Sequence, residues 1–405
     1  MRLKDITIFS PQYVGDNIDG DVSFVPMESL RNGTIDYKTI PLLKAKGKYT
    51  YFGNQDLLIA KVTPCFENGN IAIARNLLNG IGFGSSEIFV LRPNKEVISQ
   101  YLFYLSQSRD FQDKACATMC GVGGLKRISP LFMRTYEFDM PSIENLQRMV
   151  TYLDTKLSEI DHQVSLLTSK RDAYLRLKKS IINHAVTHGL NPNVKMKDSG
   201  IEWIGEVPEH WEVKRMKDIC ALSPNIKSCS EYEYGSYLPM EGLRLDQIET
   251  SDELVSTLQG KYTPFEDNDL LVAKVTPCFE NGNIAIAKGL TNGVGFGSSE
   301  IFVLRANKYN NIRFLFYMSL SSKFQDKACA TMCGVGGLKR ISPLFMKTYI
   351  MAIPPSTEQR AIATYLDDKC AKIDTIVSNL DKQISCYGDL KRSLIDEVIT
   401  GKRAV

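Results

Sequence analysis

From Leu146 onward, apolar residues fall at alternating steps of four and three: Leu146, Val150, Leu153, Leu157, Ile160, Val164 and Leu167. After Arg171 the series continues through Tyr174, Lys178, Ile181 and Ala185. A second series runs through Leu366, Cys370, Ile373, Val377, Leu380, Ile384, Tyr387, Lys391, Leu394 and Val398. This spacing is a coiled-coil seam sustained for about 40 residues, or about 60 Å at ~1.5 Å per residue. Pro141 stands before the first series, and Pro354 and Pro355 before the second, as start signals. Neither series contains a proline. The pattern predicts two long antiparallel helices that bury their seams against each other or against partner helices. Lys178 and Lys391 hold the same seam position, where a polar side chain fixes register rather than adding stability.

The rest of the chain carries a different pattern. Leu57–Val62 is an apolar run, Asn70–Ala74 alternates through Ile71 and Ile73, and Glu87–Leu91 reads as a buried strand. Glycines at 69, 80, 82 and 84 punctuate these strands as turns. A short helix is expected at Val97–Ser106, with an equivalent around Arg313–Leu320. The fold class is therefore α+β. His188–Glu212 holds both tryptophans and shows no helical period, so it reads as a linker. The expected division is a first domain over 1–141, a long helix over 142–187 and a linker over 188–213. A second domain follows over 214–354, then a second long helix and tail over 355–405.

The two domains are copies. Arg2–Lys156 and Arg215–Lys369 align at an offset of 213, apart from one extra residue near Thr357. Lys61–Ala74 recurs unchanged as Lys274–Ala287, Gly82–Arg92 as Gly295–Arg305, and Phe111–Met133 as Phe324–Met346. The repeat is too long for a solenoid, whose units run ~20–50 residues. Duplicated domains tend to pack about a pseudo-two-fold axis, and duplex DNA is the commonest target with a matching symmetry.

Composition narrows the function by exclusion. With 43% apolar and 23% charged residues the chain is ordinary for a globular protein. It has no apolar run near ~18 residues and no signal-peptide core, so a cytoplasmic protein without a membrane segment is expected. The net charge of +3 is low for a free-standing DNA binder, which points to a partner supplying many of the phosphate contacts. Of the ten cysteines, six are three pairs copied with the duplication, and they read as small buried hydrophobes. Cys116 and Cys120 form C-x3-C without a second pair or a histidine, so no metal site is expected. The chain has no phosphate loop of the G-x-x-x-x-G-K-[ST] type and no H-E-x-x-H. No duplicated segment has catalytic character, so no catalytic residue is assigned.

Several strings resemble the specificity subunits of type I restriction–modification systems. They are Asp198–Ile219, which contains W-I-G-E-V-P-E-H-W, Pro354–Asp374, and Leu390–Lys402. The repeated strings CFENGNIAIA, GFGSSEIFVLR and GVGGLKRIS are similar to those of the family's target-recognition domains. Many members begin with their own W-x-G-x-x-P-x-x-W region, whereas this sequence starts just after it. The resemblance implies two target-recognition domains, each reading one half of a bipartite site in double-stranded DNA. It implies long helices that act as a ruler and recruit two methyltransferase subunits. In systems that restrict, two motor-nuclease subunits join. S-adenosylmethionine is then expected on the methyltransferase partner, with no cofactor on this chain. A rigid antiparallel pair would place the reading domains about one helical turn of DNA apart, ~34 Å.

Candidate DNA contacts fall in three groups. Lys126–Arg127 and Lys339–Arg340 follow the glycine-rich turns 121–124 and 334–337, where backbone N–H groups can approach phosphates. Lys61, Thr63, Asn68 and Asn70, with Lys274, Thr276, Asn281 and Asn283, flank a strand turn and suit base edges or phosphates. Ser85, Ser86 and Glu87, like Ser298, Ser299 and Glu300, read as structural. The third group is divergent. Asp36–Lys46 shares no residue with Glu249–Gln259, nor Gln12–Val22 with Asn225–Gly235. Lys38, Lys44 and Lys46 make the first of these windows basic, where its counterpart carries Asp252 and Glu253. Divergence there reads either as loop drift or as the place where the two domains encode different bases. Two other readings stay open: a coiled-coil scaffold binding only proteins, and an enzyme with an unrecognised site. Salt-dependent DNA binding separates the first, and methyl transfer or cleavage by the isolated chain the second.

Overall fold

In the computed structural model, which describes residues 1–14, 20–121, 124–224, 226, 232–335 and 337–405, the β-rich runs form two small sheets in each repeat. The strands of the first repeat are β1 (Thr7–Phe9), β2 (Asp21–Val25), β3 (Lys38–Pro41), β4 (Thr50–Gly53), β5 (Leu57–Ala60), β6 (Ile71–Ile73), β7 (Ile81–Gly84) and β8 (Ile88–Pro93). One sheet is antiparallel with order β1-β8-β5-β6. The other has order β3-β2-β7-β4, with β2 and β7 parallel. Every residue of β5 is buried, which explains its unbroken apolar run. Phe52 lies fully buried against β7, where a Cβ at Gly82 would come within 2.1 Å of its ring, so only glycine fits. The expected short helix spans Glu96–Gln107 and buries Ile98, Tyr101, Leu102 and Leu105 on the antiparallel sheet.

The two sheets of the first repeat are tied by an ion pair. Asp56 is 1% exposed and takes two hydrogen bonds of 2.7 Å from Arg92 on β8. It also accepts the Gly53 N–H of β4 at 2.7 Å. The second repeat reproduces the arrangement with Asp269 and Arg305, and there Glu266 joins the arginine at 2.7 Å. Its sheets have the same order of equivalent strands.

The long helices run unbroken over Ile143–His188 and Ser356–Ile399. The chain forms two compact units, and each takes half of each helix. The first unit holds residues 1–168 and 381–405, the second 169–380. In the first unit Leu153, Leu157 and Ile160 share a core with Leu394, Ile395 and Val398. Lys391 meets Asp161 at 2.6 Å while Arg403 reaches Tyr152, so the two segments run antiparallel. In the second unit Ile182, Ala185 and Val186 share a core with Ile362, Leu366 and Cys370, and Lys178 meets Asp374 at 2.6 Å. Both seam lysines are therefore paired. Ile373 and Leu380 are buried, and Val164, Leu167, Val377 and Ile384 half-buried. The seams do more than the periodicity predicts: Leu146, Met149 and Val150 also close the core over the first repeat's sheet. Each such buried side chain contributes roughly 1.5–3 kcal/mol. No helix among the described residues is long and apolar enough to cross a membrane.

The segment 188–213, which reads as a linker, is folded into the second unit. Met196–Asp198 and Glu206–Pro208 pair as an antiparallel ladder. Trp211 is 1% exposed in the second unit's core, and its indole N–H donates to Glu358 at 3.2 Å. Glu212–Arg215 then pairs with Ile350–Ile353. The aperiodic composition misleads because a short ladder and one large aromatic side chain anchor a segment without any repeat.

Candidate nucleic-acid interface

Three segments that are distant in sequence meet at one edge of each unit: the turn 61–70, the link 85–87 between β7 and β8, and residues 120–127. Thr63 is the clasp. Its backbone N–H donates to the Lys126 carbonyl at 3.0 Å. Its hydroxyl accepts the Lys126 N–H and donates to the Gly124 carbonyl, both at 3.0 Å. The Ile128 N–H donates to the Lys61 carbonyl at 2.9 Å, and the Lys61 N–H to the Glu87 carbonyl at 2.8 Å. Arg127 closes the triangle with two hydrogen bonds of 2.9 Å to the Glu87 carboxylate. The second unit repeats every link, with Thr276 clasping Lys339 and Gly337, and Arg340 held by Glu300.

This geometry sorts the candidate residues. Thr63 and Thr276 are buried, and their hydroxyls serve the loop itself. Lys61 is half-buried, with its Nζ 4.9 Å from the Phe89 ring centroid and 2.5 Å from the Ser86 carbonyl. Lys274 matches it over Phe302, and burial pushes both ammonium groups below the usual lysine range. Asn70 is buried and Asn283 half-buried. Arg127 and Arg340 spend their guanidinium groups on Glu87 and Glu300. Lys126, Lys339, Asn68 and Asn281 remain exposed, and neither lysine has an ion-pair partner among the described residues. The site that the sequence spreads over eight shared polar positions and two Lys-Arg pairs thus presents, in each unit, one cation and one amide on a braced loop. The middle of the turn 121–124, and residue 336 of 334–337, lie outside the described residues.

The clasp has a pH signature. Arg127 holds the Glu87 carboxyl below the ordinary range, chiefly by hydrogen bonding, and Arg340 does the same to Glu300. A carboxylate depressed in the folded state stabilises it fully above its unfolded pKa and loses that contribution as pH falls through the folded value. The loop should therefore loosen on the acid side of 4.5, the ordinary glutamate value. Protection of the amides at residues 124–128 against hydrogen exchange, taken relative to the intrinsic rate at each pH, should fall there in the native chain. The fall should vanish in Glu87→Gln, and its persistence would rule out this carboxylate as the cause.

The basic window 36–46 is not a loop. It contains β3 and the one-turn helix Leu42–Ala45, and its counterpart contains the strand Ser251–Leu254 and the helix Val255–Leu258. Both strands are sheet edges, and their side chains are almost all exposed. Lys38 lies 3.5 Å from Glu28, Lys44 is exposed, and Lys46 sits 5.7 Å from the Tyr13 ring centroid. The two units thus present different side chains on one backbone. The windows 12–22 and 225–235 fall partly outside the described residues. The Glu87–Arg127 clasp was missing from the sequence reading, although both members recur in the second copy.

Residues 208–385 match the family described as the type I restriction modification DNA specificity domain. The chain is 29% identical over 199 residues to the EcoEI specificity subunit of Escherichia coli, covering 48% of this chain and 33% of that protein. The EcoAI specificity subunit of Escherichia coli is 29% identical over 184 residues, covering 44% and 31%. The chain thus spans about a third of the length of these relatives (33% and 31%). The MjaVIII specificity subunit of Methanocaldococcus jannaschii is 20% identical over 96% of this chain and 88% of its own length. A chain from a structure concerned with assembly and conformational transition of a type I R-M system superposes with a TM-score of 0.74 at 15% identity, covering 98% of this chain and 96% of that one. The HsdS subunit of Thermoanaerobacter tengcongensis gives 0.53 at 15% identity, covering 100% and 96%. These two likenesses show the fold.

Proposed function

Because the chain belongs to the family of type I restriction–modification DNA specificity subunits, we propose that each unit reads one half of a bipartite duplex DNA target. The observation that carries this reading is the pairing of a shared loop with a divergent strand. Both units brace an exposed lysine on the same clasp, suited to a phosphate that positions but does not specify. Both also present an exposed edge strand of like backbone and unlike side chains, suited to base readout that differs between half-sites. The chain itself is non-catalytic. Its long helices set the spacing of the half-sites and recruit two methyltransferase subunits, which carry S-adenosylmethionine, and two restriction subunits where the system has them. Leu166, Leu175, Leu177 and Leu390, exposed on those helices, supply apolar area for such partners. The complex works in the cytoplasm, where its DNA is.

The test is a window exchange. Residues 36–46 are replaced by 249–259, and adenine methylation is mapped in cells that supply the methyltransferase partner. The first half-site should move toward the second, giving a more palindromic motif. An active variant with an unaltered first half-site would remove the window from base readout. The isolated chain should transfer no methyl group. A scaffold that binds only proteins would give no salt-dependent DNA binding in any form.

A further inference from the structure

Just ahead of the divergent window, each unit carries a hairpin tip. In the first unit Leu30 bridges Ile35, and the Asp36 N–H donates to the Ser29 carbonyl at 3.0 Å, leaving residues 31–34 as the turn. In the second, Leu243–Arg244 pairs with Gln247–Ile248, and the Glu249 N–H donates to the Gly242 carbonyl at 2.8 Å. Leu30 and Leu243 are fully buried at the base. The two tips are moored alike. The Gly33 N–H donates to the Ile71 carbonyl, and the Asp246 N–H to the Ile284 carbonyl, both at 2.8 Å. Each tip is thus fixed to the strand that leaves the turn carrying Asn68 or Asn281.

On this shared frame the outward side chains differ. Arg31-Asn32-Gly33-Thr34 becomes Arg244-Leu245-Asp246-Gln247, and all of these residues are exposed. Positive φ falls on Gly33 and Asp246, at 74° and 55°, so Asn32 and Leu245 hold the same unstrained position of the turn. The Asn32 amide makes no hydrogen bond among the described residues, whereas Asp246 is held by Arg313 at 2.7 Å. Asn32 also lies beside the turn of Asn68. A Cβ at Gly69 would come 3.5 Å from its Nδ2, and both amides border one open cleft of about 820 Å³.

An exposed amide on a loop is commonly only solvated. This one stands on a moored β-ribbon, the kind of element that the major groove of duplex DNA admits. An asparagine there forms two hydrogen bonds with adenine, to N7 and from N6, while an apolar side chain meets the thymine methyl. We propose that position 32 and its equivalent 245 each read one base pair: Asn32 bonds an adenine of the first half-site, and Leu245 packs on a thymine methyl of the second. The inference rests on the reading of the two units as DNA readers, and it adds a specificity position outside the window 36–46. The two base pairs should occupy equivalent places in the two half-sites, because the tips occupy equivalent places in the two units.

The test supplies the full chain with its methyltransferase partner in cells and maps the methylated motif. Asn32→Leu keeps the turn, since leucine already fills that position in the second unit. It should reduce the first half-site's preference for adenine at one base pair by about tenfold or more and leave the second half-site unchanged. Asn32→Asp removes the donor to N7 and leaves only acceptors, so the preference should pass to cytosine, whose N4 donates. Leu245→Asn should bring an adenine preference into the second half-site. If methylation falls too low to map, selection from a randomised duplex pool by the purified complex reads the same preferences. An unaltered first half-site in both Asn32 variants, or a loss that is equal on every sequence, overturns the role of the tip and leaves the DNA reading intact. A native chain that with its partner marks no bipartite motif and binds no duplex in a salt-dependent way overturns that reading and the inference with it.

Discussion

Alanine at both Lys126 and Lys339 will lower duplex affinity about thirtyfold at roughly 0.15 M salt, and flatten the slope of log K against log salt by about two. Each phosphate contact contributes about 0.9 to that slope, which at this concentration is about 0.75 in log K, so two lost contacts multiply to about thirty. The loss should be the same on any sequence, because phosphates carry no base identity. The clasp makes the prediction selective. Arg127 and Arg340 are adjacent cations of equal charge, yet each is already neutralised by a carboxylate. Alanine at both arginines should leave the slope nearly unchanged, whatever it does to the loop's order. Titration of binding against salt decides the matter. A slope change of about four on removing all four cations, or none on removing the two lysines, would contradict the assignment.

Asp56→Ala will destabilise the first unit by about 3 kcal/mol or more, because a charged partner is left partly buried and unpaired. Arg92 then keeps Tyr51, which takes a hydrogen bond from it and whose ring centroid lies 5.3 Å away, but no carboxylate, and the Gly53 N–H loses its acceptor. Asp269→Ala should cost the second unit less, since Arg305 retains Glu266 at 2.7 Å. The chain carries its own reporter. Both tryptophans lie in the second unit, and Trp211 is buried there. In denaturant unfolding, Asp269→Ala should shift the tryptophan fluorescence transition. Asp56→Ala should leave that transition in place and shift only the part of the far-ultraviolet circular dichroism that belongs to the first unit. Equal costs for the two variants would show that Glu266 contributes nothing to holding Arg305.

The sequence and the structure agree most closely where the signal repeats along the chain. The four–three spacing from Leu146 marks the first long helix, observed at Ile143–His188, where Lys178 and Lys391 each meet an aspartate of the other long helix. The run Leu57–Val62 and the alternation at Ile71 and Ile73 mark β5 and β6 nearly to the residue. Agreement fails where an element has no period. Trp211 and the ladder Met196–Asp198 with Glu206–Pro208 sit in a stretch whose composition is that of a connector. The window 36–46 carries no strand signal because a four-residue edge strand with exposed side chains shows no alternation of burial.

Periodicity, exact duplication and family strings are properties of the linear chain, and they were enough to establish two like units, two long helices and the absence of a recognisable catalytic motif. The use of each polar side chain was not accessible in that way. Arg127 and Lys126 are neighbours of similar charge, and only the approach of residues 85–87 across the loop ties one to Glu87 and leaves the other exposed. Thr63 likewise becomes a clasp because folding brings Lys126 within 3.0 Å, a contact across 63 residues of sequence. Which of two adjacent cations is neutralised depends on packing between segments far apart in the chain, and local composition holds no record of that.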